Sequence, residues 1–207
     1  MKIKNLKIAE DAWAHFLPSD YFRRWSRVEI FGNDQPMEID LGCGDGKFLL
    51  EMAAQFPERN FLGVERLQGR VARVVRDADR AGLRNVRVLK LESLYTVEWL
   101  LERASVSRLH LLCPDPWPKA KHQGNRIVQG RFLQAVWELL ESGGEFLFKT
   151  DHDEYFDWSR EHVAAFGKFS VLPWGEGDFF YPKTDFQLQW EAEGKTLQAL
   201  RCVKKAP

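Results

Sequence analysis

The stretch that most constrains this chain is Asp40-Leu41-Gly42-Cys43-Gly44-Asp45-Gly46. It follows a short apolar run, Met37–Leu41, and opens into Lys47–Ala54, which reads as a helix to about Phe56, closed by Pro57. A strand, a tight glycine turn and a helix start together set backbone N–H groups and a positive dipole end beside a ligand. Glycine suits such a turn because the backbone bends sharply and a ligand can approach with no Cβ in the way.

The same unit recurs. Asn60–Glu65 is a second apolar strand ending in an acid, and Leu67, Val71, Val74, Val75 and Ala78 then fall at helical spacing, with Gly82 after the end. Asn85–Leu91 predicts a third strand followed by Glu92, and a helix around Tyr95–Arg103 leads to a fourth strand, Leu109–Cys113. After the loop Pro114–Arg126 come a helix with Phe132, Val136, Leu139 and Leu140 on one side, a stop at Ser142-Gly143-Gly144, and a fifth strand, Glu145–Thr150. Residues 152–166 read as a helix, Phe169–Leu172 and Leu197–Val203 as strands, and Trp174–Tyr181 as a loop. Strands alternating with helices at this spacing predict βαβ units: α/β, with a doubly wound, mostly parallel sheet and helices on both faces. Residues 1–36 lack clean periodicity and read as an N-terminal arm, leaving 37–207 as the main domain.

At 207 residues the chain can bury a full core, and 44% hydrophobic with 29% charged residues excludes a disordered or membrane class. No apolar run reaches the roughly 20 residues of a membrane span, and the basic Met1–Lys7 lacks the apolar stretch of a secretory signal. The three cysteines are unclustered, which points to neither disulfides nor a metal and fits a cytoplasmic protein with reduced thiols. A net charge of +0 does not announce a nucleic-acid partner. Its distribution is less even: arginines at 66, 70, 73, 76, 80, 84 and 87 read as a solvated helix face, whereas Lys119, Lys121, His122, Arg126 and Arg131 cluster in and after a proline-rich loop.

In an open parallel sheet, ligands bind beyond the carboxyl ends of the strands. Asp40, Glu65, Glu92 and Asp115 all sit there, although any one alone could be a helix cap or a loop acid. The glycines run G-x-G-x-G (Gly42, Gly44, Gly46), with Lys47 where a dinucleotide fingerprint has its third glycine. That spacing favours S-adenosyl-L-methionine, a class I methyltransferase cofactor, over a nicotinamide. Asp40 would pair with the cationic amino group, Glu65 would accept the ribose hydroxyls, and Glu92 would face the adenine side. Pro114-Asp115-Pro116-Trp117-Pro118-Lys119 is a loop shaped by prolines, either a rigid surface turn or the acceptor side of the site.

With these blocks in order, together with His122, Arg126 and Phe148-Lys149-Thr150-Asp151, the chain resembles the bacterial tRNA (guanine-N7-)-methyltransferases over about residues 37–203. The resemblance implies that 37–207 is a methyltransferase domain of class I, Rossmann-like fold with an antiparallel C-terminal strand. It implies methyl transfer from S-adenosyl-L-methionine to N7 of a tRNA guanosine in the variable loop, giving 7-methylguanosine. It implies Asp40, Glu65, Glu92 and Asp115 as cofactor contacts and Asp115 as catalytic acid. Lys119 and Asp151 would contact substrate, Lys121, His122 and Arg126 would fall in the RNA-contacting segment, and Thr184-Asp185-Phe186-Gln187 would match a substrate motif of the form Thr-x-x-Glu. The chain departs from that pattern at Gln187 (Glu in the family), Gly124 and Asn125 (basic), Lys121 (Arg), Asp40 (Glu) and Glu92 (Asp). These departures leave room for a related methyltransferase acting on another RNA or a small molecule, or for a non-catalytic cofactor- or RNA-binding domain. The oligomeric state, monomer or homodimer, is left open, and no metal or membrane partner is expected.

Overall fold

The computed structural model describes residues 7–175 and 177–205. In chain order the elements are β1 (His15–Phe16), α1 (Arg27–Phe31), β2 (Met37–Leu41), α2 (Lys47–Gln55), β3 (Asn60–Glu65), α3 (Gln68–Arg80), β4 (Val86–Lys90), α4 (Ser93–Tyr95), β5 (Val106–Leu112), α5 (Gly130–Leu139), β6 (Leu140–Thr150), α6 (Asp153–Phe166), β7 (Phe169–Leu172), α7 (Asp185–Ala192) and β8 (Gln198–Lys204). A π-helical turn spans Thr96–Leu100 and a 3-10 helix spans Ala120–Asn125. The strands form one eight-stranded sheet in the order β1-β4-β3-β2-β5-β6-β8-β7, in which β8 alone runs antiparallel to its neighbours. Strand order reverses between β2 and β5, so the sheet opens at their carboxyl ends.

Apolar side chains alternate between two cores. Phe61 of β3 joins Phe48, Leu49 and Met52 of α2 and Val71, Val74 and Val75 of α3, whereas Leu62 and Val64 join Phe132, Val136, Tyr155 and Val163 of α5 and α6. Adjacent residues of one strand point to opposite faces, so these are the two sides of the sheet. Every residue of β2 and β3 is buried, which is why both read as nearly continuous apolar runs. In α3 the valines form the buried stripe, while Arg66, just before the helix, and Arg76 and Arg80 within it face outward.

The N-terminal stretch through Leu6 and residues 206–207 lie outside the described residues. His15–Phe16 pair in parallel with β4, and Ile30 and Phe31 of α1 enter the core. In place of the helix expected over 95–103, α4 gives way to the π turn. Trp25 N–H donates to Leu100 O and Glu102 N–H to Trp25 O, so the N-terminal segment takes up the backbone groups that a longer helix would use. The helix expected to stop at Ser142–Gly144 ends at Leu139, because Leu140 already pairs with Val106; the glycines fall inside the irregular start of β6.

One close approach seats the cofactor-turn region. A Cβ on Gly63 of β3 would lie 2.6 Å from Leu49 Cδ2 and 3.0 Å from Cys43 Sγ, so only glycine lets the turn and α2 pack down on the strand. Gly63→Ala is expected to cost about 1–3 kcal/mol by overpacking, read as a Tm lowered by about 2–4 °C per kcal/mol in a thermal melt.

Candidate functional site

The cleft grows from the end of β2. Gly42, Gly44 and Gly46 all take positive φ, and a Cβ on Gly46 would meet Val74 of α3 at 2.7 Å. The turn is tied to the next strand by Gly42 N–H and Cys43 N–H, both donating to Val64 O at 2.8 and 3.0 Å. With the ends of β3, β4 and β5 and the start of α7 it encloses a cleft of about 680 Å³ at the point where strand order reverses.

Asp40, Glu65, Glu92 and Asp115 all line this cleft, with the three glycines. Asp40 is only 3% exposed, and burial, then the charge of Glu65, push its carboxyl up to about 7. Among the described residues no hydrogen bond or cation pulls it back, so a cationic ligand group would find an acid that gains from its arrival. Glu65 is also buried; its Oε1 accepts from Leu67 N–H at 2.8 Å, and Arg70 lies 3.7 Å from Oε2. Glu92 is exposed and caps α4, accepting from Leu94 N–H at 2.9 Å and Tyr95 N–H at 2.7 Å, so it serves as a cap while facing the cleft.

Asp115 stands exposed on the opposite wall, in a loop whose backbone is unusual on both sides: Cys113 (φ 47) and Trp117 (φ 43) take left-handed conformations rare outside glycine. Two supports hold the loop there. Cys113 N–H donates to Lys149 O at 2.8 Å, and Arg126 Nε donates to Pro116 O at 2.8 Å. Arg126 was expected among the RNA contacts, and the structure corrects this: it is 2% exposed, with its guanidinium 5.2 Å from the Tyr155 ring and 5.3 Å from the Trp158 ring. It braces the loop from inside. The pull of packing against two aromatic faces and a backbone carbonyl outweighs the solvation of an exposed cation.

The remaining expected residues divide. Thr184, Asp185 and Phe186 line the cleft at the start of α7, where Thr184 Oγ1 accepts from Gln187 N–H at 3.0 Å and Lys47 Nζ lies 3.4 Å from Asp185. Gln187 turns away: it is buried, and its Nε2 donates to Glu191 Oε1 at 2.8 Å, while Lys183 holds the other oxygen at 2.8 Å. Lys119, Lys121 and His122 stand beside the cleft rather than in its wall, His122 edge-on to Trp117 at 5.9 Å. Asp151, half-buried at the end of β6, is near enough to Cys113 that its charge adds to burial in pushing that thiol up to about 12.

Sequence reasoning read Arg66 and Arg70 as part of a solvated helix face and did not name Gln189, yet all three line the cleft beside Glu65 and Thr184, as does Trp117 of the proline-rich loop. Their signal was position: each lies within five residues of a singled-out acid or motif. The arrangement can hold a cation and a vicinal diol on the β2–β3 side, and can present an exposed carboxylate to whatever enters beside Asp115. Among the described residues no group of His, Cys, Asp and Glu is placed to hold a metal ion, and no helix is long and apolar enough to cross a membrane.

Comparison with known proteins accords with this geometry. A family model described as "Putative methyltransferase" matches residues 34–200. The tRNA (guanine-N(7)-)-methyltransferase of Syntrophotalea carbinolica is 31% identical over 81% of this chain and 74% of its own length. The enzyme of that name from Macrococcus caseolyticus is 33% identical over 81% and 80%. Among solved structures, the 16S rRNA methyltransferase KamB superposes with a TM-score of 0.65 at 18% identity, over 89% of this chain and 96% of its own, and a SAM-dependent O-methyltransferase from Thermotoga maritima with 0.57 at 16%, over 87% and 63%. At such identities they share the class I methyltransferase fold. By its sequence relatives, the chain belongs to the tRNA (guanine-N(7)-)-methyltransferase family.

Proposed function

We propose that this chain transfers a methyl group from S-adenosyl-L-methionine to N7 of a guanosine in tRNA, in the cytoplasm. The observation that carries this reading is that one cleft is lined by the buried acids Asp40 and Glu65 and by the exposed Asp115, with no cation or hydrogen bond holding Asp40 among the described residues. When bound, the cofactor would supply an electrophilic methyl group on a sulfonium. Asp40 would hold its amino group, Glu65 the ribose hydroxyls and Glu92 the adenine side, with Gly42, Gly44 and Gly46 leaving room for its approach. Guanine N7 already carries an in-plane lone pair, so the protein need not create a nucleophile and its task is alignment. Asp115 can accept from a guanine donor and can stabilise the positive charge that develops on the base. Thr184, Asp185 and Phe186 would close the acceptor side, with Asp151 behind the loop. Exposed Lys119 and Lys121, and His122, would meet phosphates without reading sequence.

A second reading, transfer to another RNA, is favoured by Gln187. Its amide is spent on Glu191 instead of facing the cleft. Nucleoside mass spectrometry on unmodified tRNA incubated with protein and S-adenosyl-L-methionine decides between the two: 7-methylguanosine supports the first, and its absence with cofactor binding intact supports the second.

Asp115→Ala is expected to lower turnover at least 100-fold with little change in Tm, since the side chain is exposed. A folded variant with normal turnover would remove Asp115 from the chemistry. Folded Asp40 holds its proton to about pH 7, while the unfolded chain releases it near pH 4. Stability is therefore lost as pH rises between those values. Asp40→Asn is expected to raise the Tm of the ligand-free protein at about pH 8 and to weaken S-adenosyl-L-methionine binding about tenfold or more, by melting and calorimetry on one sample. A lowered Tm or unchanged affinity would count against the role.

A further inference from the structure

On the face of the sheet that carries α2, strands β2, β5, β6 and β8 bear polar side chains where apolar ones would be expected to pack. Glu38 of β2 is fully buried; it accepts from Arg59 at 2.7 Å, and its other oxygen lies 2.9 Å from His110 Nε2 on β5. A carboxylate already held by arginine can only accept, so Nε2 carries the shared proton and Nδ1 is left as an acceptor. The Tyr181 hydroxyl, 2.8 Å away, donates to it. Burial pushes His110 below its ordinary value against the pull of Glu38, which keeps the ring neutral and this tautomer in place.

A second anchor lies alongside. Arg108 of β5 and Arg201 of β8 both bond Glu145 of β6, and their guanidinium groups sit 4.9 and 5.2 Å from the Phe179 ring. The Tyr181 ring in turn packs 4.7 Å from Phe48, in the first turn of α2. Residues 177–183 are thus clasped across the sheet at Phe179 and Tyr181. From Tyr181 only Pro182, with its fixed φ, and Lys183 separate the clasp from Thr184, the N-cap of α7 and part of the cleft wall.

We propose that His110 and Tyr181 are positioning residues: their hydrogen bond, backed by Glu38, sets where Thr184, Asp185 and Phe186 stand on the acceptor side of the cleft. The kinetic part of this inference rests on the tRNA methyltransferase reading; the structural part does not. A bond of ordinary strength biases a seated against an unseated α7 by roughly fivefold.

Tyr181→Phe keeps the ring on Phe48 and removes the bond. Hydrogen exchange is expected to quicken about fivefold at the amides of residues 184–189 and to stay unchanged in β2 and β5. KM for tRNA should rise by about the same factor with kcat preserved. In a His110→Leu background the tyrosine change should add nothing. Unchanged exchange at 184–189, equal quickening throughout the sheet, a loss confined to kcat, or additive losses in the double variant would each overturn the proposal. A wild-type protein inactive on tRNA would overturn the functional reading instead, and the exchange comparison would still decide the clasp.

Discussion

Two buried carboxylates line one cleft, and the desolvation of Asp40, with the charge of Glu65 beside it, is the constraint around which the rest is arranged. The parallel register sets Leu41 beside Val64, so Asp40 and Glu65 flank that pair at the carboxyl ends of neighbouring strands. Both are buried, and among the described residues Asp40 has no partner that would hold its charge. A site built only for stability would carry apolar or paired groups there. The fold keeps this acid in the cleft wall, where a cation would relieve it. The glycine turn, the close seat of α2 on Gly63 and the Gly46–Val74 contact fix the distance at which the acids wait.

The opposite wall uses the reverse arrangement. There the acid, Asp115, is outside and the cation, Arg126, is inside. The left-handed residues 113 and 117 hold the loop in a shape that an unsupported chain would leave, and the buried guanidinium bonded to Pro116 O makes leaving costly. A basic residue in a motif can thus act from inside, by shaping the loop that carries Asp115. The third wall, the start of α7, is tied through Tyr181 and Phe179 to side chains of the sheet behind it, on strands β2, β5, β6 and β8.

Much of the fold was legible. Met37–Leu41 and Asn60–Glu65 were read with the ends that the structure gives, since central parallel strands are buried on both faces and write themselves as apolar runs. The valine stripe of α3 was equally plain. The π turn was not, because its cause is the backbone of Trp25, some seventy-five residues earlier in the chain. Nor was the early start of β6, which is set by pairing with Val106. At the site, the positions of Asp40, Glu65, Glu92 and Asp115 on one cleft followed from their common place after strands. The inward turn of Arg126 and the diversion of Gln187 to Glu191 did not follow, because a motif gives a residue's place in the chain and not the direction of its side chain.

The sequence by itself determined the order of strands and helices from β2 to β7, the strand β8, the glycine turn and the line of acids at strand ends, which follow from local periodicity and from residues a few positions apart. It did not determine β1, α1 or α7. The tertiary structure alone decided which charges are buried, which are paired and which are free to meet a ligand. Those outcomes depend on partners such as His110 and Tyr181, or Glu38 and Arg108, that are distant in sequence and meet only when the sheet has formed, where desolvation and proximity then set each group's chemistry.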